Sequence, residues 1–226
     1  MFGTTLSSDA GKAIRAAGGS ATSKIKHPLC TTDMSSPLLQ AQASDADVIG
    51  LANARPDLVN TIKQAREFGV SKPLLSFLVF ANNTVAMGLE TAQGIRFPVS
   101  SYSDANDNTR GRANRFIARN GQQVPTMGHA ATYVSTTHYL QAVAKAGTDD
   151  AAAVDKAMKE MLITDNMLGN AHMLANGWVV MDMLLVEVKT PKQSKGPADI
   201  YTVVDRLPSD ALFTPAAQSG CPMNPS

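Results

Sequence analysis

The feature that most constrains the fold of this chain is an alternation of strand and helix patterns in its N-terminal half. Val48–Ala52 and Leu74–Phe80 are apolar runs of the length expected for buried strands. The first is followed by a helical pattern that Asp57 opens and Gly69 closes, and the second by a helical pattern through Met87–Gly94. With connections this short, neighbouring strands are expected to be parallel. The pattern therefore predicts an α/β fold with a doubly wound parallel sheet.

Three further elements are predicted before this core. Gly11–Ala17 carries a short helical pattern that ends at Gly18-Gly19, and glycine is a common helix cap. Ala21–Leu29 is predicted to be a strand. Ser35-Ser36-Pro37 is typical of a helix start, because serine caps the first turn and proline is tolerated within it.

The pattern changes after Tyr102, where helices follow one another. Asp104–Asp107 is predicted to cap a helix that ends near Gly121. A longer helix is predicted from about Gly128 to Ala146, and Thr148-Asp149 opens another. Because no strands separate these helices, we expect them to pack on a different surface from the first unit.

The C-terminal part of the chain returns to strands. Asn176-Gly177, flanked by apolar residues, is the strongest short-range hairpin signal in the sequence. Strands are predicted at Trp178–Val188 and Ile200–Asp205. The hairpin is therefore expected to add antiparallel strands to the parallel core.

Composition excludes several classes of function. The 226 residues are 44% hydrophobic and 17% charged, which is the profile of an ordered soluble protein. The formal net charge is +1 without a concentrated basic run, so nothing indicates binding to nucleic acid. Apolar runs stay far below the roughly 20 residues of a membrane-spanning helix.

Neither a cofactor nor a metal is predicted. The glycine-rich motifs of nucleotide sites and the G-x-S-x-G motif of hydrolases are absent. His129 and His138 lie on opposite faces of one predicted helix, which rules out a shared metal. Cys30 and Cys221 lie near opposite ends of the chain, and their pairing is left open.

Polar residues follow both core strands at the edge where ligands bind open α/β sheets. Asn53 follows one strand and Asn82-Asn83 follow the next. Two amides at one edge can hold the polar end of a small zwitterion or amide, and Arg55 can receive a carboxylate there. The alternatives are that each asparagine caps a helix or forms a local turn, and that Arg55 is a solvated surface residue.

Six collinear blocks of the sequence resemble a known protein family. The blocks are His27–Val70, Leu74–Phe97, Ser103–Phe116, Val124–Asp150, Asn176–Pro197 and Ser219–Pro222, within a resemblance that runs from about Phe2 to Pro222. The family is that of the type 1 periplasmic solute-binding proteins of ABC importers, of the branched-chain amino acid (leucine/isoleucine/valine-binding protein-like) type. The resemblance is specific to the family and not to one ligand.

The resemblance implies a type 1 periplasmic-binding-protein fold, in which two α/β lobes joined by three crossing strands close over a ligand. Residues 1–102 are then the second-lobe α/β core, and residues 103–162 a helical excursion that packs on the first lobe. Residues 163–226 return to the second lobe with the hairpin and the C-terminal strand. The implied function is ligand binding for an ABC importer, whose membrane subunits are the partners, and not catalysis.

The resemblance also implies a set of ligand contacts. Ala54 and Asn82 stand where amino acid binders tend to have tyrosine and glutamate, which favours a neutral amide, a carboxylate or an aromatic acid as the ligand. The contacts carried over position by position are Phe2, Asn53, Ala54, Arg55, Asn82 or Asn83, and His129.

The sequence departs from the family at its start, where a signal peptide and most of the first lobe have no counterpart. The family is periplasmic, whereas the chain as written is expected to stay in the cytoplasm. We expect weak or absent ligand binding, because the opposite wall of the cleft is not in this sequence. Two alternatives remain open: a truncated remnant that binds nothing, and an enzyme on a flavodoxin-like scaffold.

Overall fold

The computed structural model describes residues 2–165, 167–213 and 220–221. Ser219 and Pro222 of the last block of the resemblance therefore lie outside the described residues. The chain divides into two units, each built from two stretches of sequence. The first unit comprises residues 1–98 and 186–202, and the second unit comprises residues 99–185 and 203–226.

Helices and strands alternate through the first stretch of the chain. The elements are α1 (Phe2–Ala16), α2 (Ser35–Ala43), β1 (Ile49–Leu51), α3 (Arg55–Glu67), β2 (Leu74–Ser76), α4 (Ala81–Met87), α5 (Leu89–Ala92) and β3 (Arg96–Val99). This order confirms the predicted alternation of strand and helix after residue 48.

Helices dominate the next stretch, and the chain then returns to strands. The elements are α6 (Asp107–Arg119), α7 (Met127–Ala146), α8 (Ala151–Glu160), β4 (Gly169–Met173), β5 (Val179–Val188), β6 (Tyr201–Leu207) and α9 (Ser209–Leu212). The chain passes from one unit to the other three times, within β3, β5 and β6.

The strands of the first unit form the predicted parallel arrangement. β1 pairs with β2 in parallel, with Ile49 opposite Leu74, and β2 pairs with β3 in parallel, with Leu75 opposite Arg96. The strand order is β1-β2-β3-β5. The carboxyl ends of β1 and β2 therefore lie side by side, as in other open α/β sheets.

The core of the first unit lies between the sheet and its helices. Leu58, Ile62 and Ala65 form the buried face of α3 and are each 0% exposed, which fits the helical pattern predicted there. Phe97 in β3 is also fully buried and packs edge-to-face on Tyr201, with ring centroids 5.1 Å apart.

The predicted strand at Ala21–Leu29 is wrong. The segment forms no strand, and most of its side chains are exposed. Its large apolar residues are only Ile25 and Leu29, and Pro28 has no N–H to donate to a ladder. With so little apolar surface to bury, the segment gains little from joining the sheet.

Other boundaries differ from the predicted ones for identifiable reasons. β3 was not predicted, because its four residues include Arg96 and Pro98 and show no clear apolar alternation. The single helix predicted up to Gly94 is divided into α4 and α5 at Gly88, which has a φ of 78°. A left-handed glycine ends a helix at little cost, so the division follows from that residue.

The second unit contains the predicted hairpin. β4 and β5 pair in an antiparallel manner, and the N–H of Leu174 donates to the carbonyl of Trp178 at 2.7 Å. Residues 174–178 connect the two strands, and Gly177 takes a left-handed conformation with a φ of 85°. The predicted helices are present, with Asn106 capping α6 through a 3.0 Å bond from the N–H of Thr109.

None of the helices in the described part of the chain is both long and apolar enough to cross a membrane.

Candidate functional site

The candidate site lies at the carboxyl ends of β1 and β2. The N–H of Phe77, which follows β2, donates to the carbonyl of Leu51 in β1 at 3.2 Å. The Asn53–Arg55 loop leaves β1 at this edge, and Asn82-Asn83 lie in the first turn of α4, a few residues after β2. The structure therefore places the predicted amides at the ends of two adjacent parallel strands.

The N-terminus of α1 contacts the same edge. A Cβ atom added to Gly3 would lie 2.8 Å from the carbonyl oxygen of Ala52. This close approach is available only to glycine. It brings Phe2, whose side chain is 54% exposed, to the start of the Asn53–Arg55 loop.

Asn53 does not cap the helix that follows it. Its Nδ2 atom donates to the hydroxyl of Thr61 at 2.8 Å and lies 3.3 Å from Nε2 of His27. The N-cap position of α3 is Ala54, and no side chain caps this helix. The capping interpretation of Asn53 is therefore wrong, because its amide is committed to Thr61 and His27.

Arg55 combines an exposed side chain with a rarely adopted backbone conformation. Its φ is 58°, in the left-handed region that costs a non-glycine residue about 1–2 kcal/mol. The guanidinium forms no ion pair within the part of the chain that the structure describes. Strained residues of this kind cluster at ligand-binding loops.

The two asparagines of α4 have different surroundings. Asn82 is exposed, whereas Oδ1 of Asn83 accepts a 3.4 Å hydrogen bond from the N–H of Phe80. Asn83 therefore behaves as a helix cap, as one of the two interpretations predicted. Asn82 is the residue of the pair whose side chain is left to face solvent.

His129 lies in the second unit, in the first turn of α7. Its Nδ1 atom accepts the N–H of Thr126 at 3.0 Å, and its ring packs on Phe116 with centroids 4.8 Å apart. These contacts fix the ring orientation and leave the imidazole exposed to solvent.

Two residues of the site were missed by sequence reasoning. His27 and Thr61 both hold the Asn53 amide, yet one lies 26 residues before it and the other eight residues after it. Thr61 falls on the buried side of α3, so its position in the helical pattern was a signal. His27 lies in the segment mistaken for a strand, and no local pattern indicates its contact.

His27 also lines an open depression of about 390 Å³ on the first unit, together with Lys24, Lys26 and Asp33. Hydrogen bonds from the side chain and backbone of Ser35 lower the pKa of Asp33, so this carboxylate stays ionised to more acidic pH than usual. Cys30 nearby is an exposed free thiol. In residues 2–165, 167–213 and 220–221, no group of three or more His, Cys, Asp or Glu side chains is placed to hold a metal ion.

A depression of about 260 Å³ on the second unit is lined by an ion pair and an aromatic ring. Nη1 of Arg112 lies 2.8 Å from Oδ2 of Asp165, and its guanidinium lies 5.0 Å from the ring centroid of Tyr133. The pair ties α6 to the segment before β4. Arginines in half-buried ion pairs occur in structural roles as well as in ligand sites.

Substituting Gly3 with alanine should lower the free energy of unfolding by about 1–3 kcal/mol, because the new methyl group is forced against the carbonyl of Ala52. The matched control is Gly111→Ala in α6, where nothing lies within 4 Å of the added Cβ and stability should rise by about 0.5–1 kcal/mol. Urea denaturation followed by circular dichroism measures both. Equal effects of the two substitutions would contradict the contact between α1 and β1.

The chain matches a known protein family over most of its length. The periplasmic binding protein family matches residues 1–197 of the chain. None of the curated proteins gives a significant match. A family match over most of the chain agrees with the two α/β units and their three connecting strands.

Solved structures of periplasmic binding proteins share this fold. A periplasmic binding protein from Burkholderia mallei is 39% identical, with a TM-score of 0.90 over 98% of this chain and 59% of its own. A branched-chain amino acid ABC transporter ligand-binding protein from Burkholderia xenovorans is 33% identical, with a TM-score of 0.86 over 92% of this chain and 56% of its own.

A more distant structure, a solute-binding protein of an ABC transporter from R. palustris in complex with benzoate, is 17% identical. Its TM-score is 0.74 over 89% of this chain and 54% of its own, and this likeness shows the fold alone. The chain thus spans little more than half the length of these relatives. With its α/β units and its match over residues 1–197, the chain has the type 1 periplasmic-binding-protein fold and belongs to the periplasmic binding protein family.

Proposed function

We propose that this chain is part of the substrate-binding component of an ABC importer for branched-chain amino acids or related small amides and carboxylates. The importer's membrane subunits are its partners, and the periplasm is its place of action. In this proposal, residues 1–102 correspond to the second-lobe core, and residues 103–162 to the helical excursion that packs on the first lobe. Residues 163–226 correspond to the part of the chain that returns to the second lobe with the hairpin and the C-terminal strand.

The main support for the proposal is the set of side chains at the edge formed by β1, β2 and the start of α1. This edge combines an exposed aromatic ring, an exposed cation without an ion-pair partner in the described residues, and amide groups. Small-solute sites need an apolar surface and a few convergent polar groups, and this edge supplies both.

Three of the proposed contacts have a distinct chemical role. Phe2 packs on the apolar part of the solute, Arg55 binds a carboxylate, and Asn82 offers an amide from the neighbouring strand. The full set of proposed contacts is Phe2, Asn53, Ala54, Arg55, Asn82 and Asn83 on the first unit, and His129 on the second.

Two of the solved structures indicate which solutes to test first. The Burkholderia xenovorans protein belongs to a branched-chain amino acid transporter, and the R. palustris protein holds benzoate. Leucine and benzoate share a carboxylate and an apolar group, which the pairing of Arg55 with Phe2 would suit. We therefore propose these two compounds as the first probes.

Replacing Arg55 with methionine should weaken binding of leucine and benzoate about tenfold, because the charge-assisted hydrogen bonds to the carboxylate are lost. The matched control is Lys63→Met, which removes an exposed cation from the same helix without touching the loop. Ligand-observed NMR with millimolar probes measures both affinities. Equal affinities of the unmodified chain and the Arg55 variant would contradict the role of this residue.

A further inference from the structure

The amide of Asn53 can be oriented in two ways, and its neighbours select one of them. We infer that its oxygen, and not its nitrogen, is left for the solute, so that this loop favours a solute with an N–H or O–H donor. The inference rests on the proposed function and adds the hydrogen-bonding polarity of the ligand. His27 and Thr61 act in it as positioning residues.

His27 provides the first constraint on the amide. Its Nδ1 atom lies 2.8 Å from the carbonyl oxygen of Pro28, and a carbonyl can only accept a hydrogen bond. In the neutral ring the proton is therefore on Nδ1, which leaves Nε2 as an acceptor. The Asn53 atom that faces Nε2 at 3.3 Å must then be the donating nitrogen.

Thr61 provides an independent constraint with the same result. Its hydroxyl donates to the carbonyl oxygen of Asp57 at 2.7 Å, so the single hydroxyl proton is already used. The hydroxyl oxygen can then only accept from Asn53, and Nδ2 donates to it at 2.8 Å. Both protons of the amide nitrogen are thus assigned, one to His27 and one to Thr61.

The oxygen of the Asn53 amide is therefore left as a hydrogen-bond acceptor without a donor. Oδ1 of Asn53 is buried and accepts no hydrogen bond from the described residues. Such an atom costs about 1–3 kcal/mol when left unsatisfied, which a ligand donor would recover. A carboxylate oxygen at this position would instead be repelled, because both atoms carry lone pairs and no proton.

The strained backbone next to Asn53 gives the solute a way to reach this oxygen. Oδ1 is covered by protein atoms, so part of its surroundings must shift before a donor can approach. Arg55, with a φ of 58°, gains free energy if the shift returns it to an ordinary conformation. The two unfavourable features of the loop are therefore relieved together when a donor binds.

The orientation of the amide is tested first without any ligand. Imidazole ¹⁵N chemical shifts of the 226-residue chain report which nitrogen of His27 carries the proton at a pH where the ring is neutral. We expect the proton on Nδ1, and slow exchange of both Asn53 side-chain protons. A His27 ring protonated on Nε2 would overturn the inference whether or not the chain binds solutes.

The need for a hydrogen-bond donor on the ligand is tested with benzamide and benzoate. Benzamide has a donating NH₂ group where benzoate has a carboxylate oxygen. If an N–H of benzamide donates to Oδ1, loss of the Asn53 contact should cost benzamide about tenfold in affinity. The variant His27→Phe, which cannot accept from Nδ2, should show this loss, whereas His27→Gln keeps an acceptor and should retain the affinity. Circular dichroism confirms that both variants fold.

The outcomes separate the inference from the proposed function. Benzamide binding that is weakened by His27→Phe and retained by His27→Gln supports both. If benzoate or leucine binds and neither His27 variant changes the affinity for any probe, benzamide included, the inference is overturned. The proposed function is kept in that case. Absence of binding by all three probes overturns the proposed function, and with it the assignment of a ligand to Oδ1 of Asn53.

Discussion

Replacing Phe97 with alanine should lower the free energy of unfolding by about 3–5 kcal/mol. Phe97 is 0% exposed in the centre of the first unit, and its ring meets Tyr201 edge-to-face at an interplanar angle of 87°. The substitution removes buried apolar area, leaves a cavity and ends the aromatic contact, and these three losses act together. The hydroxyl of Tyr201 also bonds to Thr84 at 2.9 Å, so loosening of the ring extends to α4.

The control for this prediction is Phe68→Ala, at the C-terminal end of α3. The Phe68 side chain is 46% exposed, so its removal should cost less than about 1 kcal/mol. Urea denaturation of both variants, followed by circular dichroism, gives the comparison. Similar midpoints for Phe97→Ala and Phe68→Ala would show that the first unit is not packed around Phe97.

Replacing Asp165 with alanine should have the next largest effect, a loss of about 2–3 kcal/mol. Asp165 is 13% exposed and pairs at 2.8 Å with Arg112, which is 27% exposed. Its other oxygen accepts the N–H of Met167 at 3.0 Å. The substitution therefore leaves a half-buried guanidinium without a counter-ion and a backbone donor without an acceptor.

A second ion pair of the same unit provides the control. Asp107 pairs with Arg110 at 2.6 Å, but its carboxylate is 98% exposed, so Asp107→Ala should change stability by less than about 0.5 kcal/mol. The double variant Arg112→Met with Asp165→Ala should recover part of the loss, because the unpaired charge is removed. Calorimetric or urea unfolding measures the set, and equal losses for Asp107→Ala and Asp165→Ala would contradict a stabilising role of the half-buried pair.

The parallel core was predictable because its signals are local. The apolar runs that became β1 and β2 are short and bounded by polar residues, and the face of α3 repeats every three or four positions. The hairpin signal Asn176-Gly177 was equally local. These elements form where local pattern and tertiary packing agree.

The errors arose where a strand depends on its partner and not on its own pattern. β3 is held between β2 and β5, so Arg96 and Pro98 are tolerated in it although they obscure the alternation. The segment at Ala21–Leu29 pairs with no strand of the described residues and stays outside the sheet. Pairing between distant segments is a tertiary property, which a window of sequence does not contain.

The candidate site was predictable in position and not in detail. Strand ends and the resemblance both point to Asn53, but the contacts that orient its amide come from His27 and Thr61, on different segments of the chain. The left-handed conformation of Arg55 has no sequence signal, because arginine rarely adopts it. The polarity of the site therefore became clear only from the three-dimensional arrangement.

A ¹H–¹⁵N NMR titration of the ¹⁵N-labelled 226-residue chain with leucine and benzoate tests the central proposal most directly. A solute bound at the carboxyl edge of β1 and β2 should give its largest, saturable shifts in the amides of Asn53, Ala54, Arg55 and Asn82. The amide of Gly111, on α6 in the second unit, serves as the internal reference and should not move. Saturable shifts confined to other residues, or unchanged spectra with both probes, would contradict the proposed solute site.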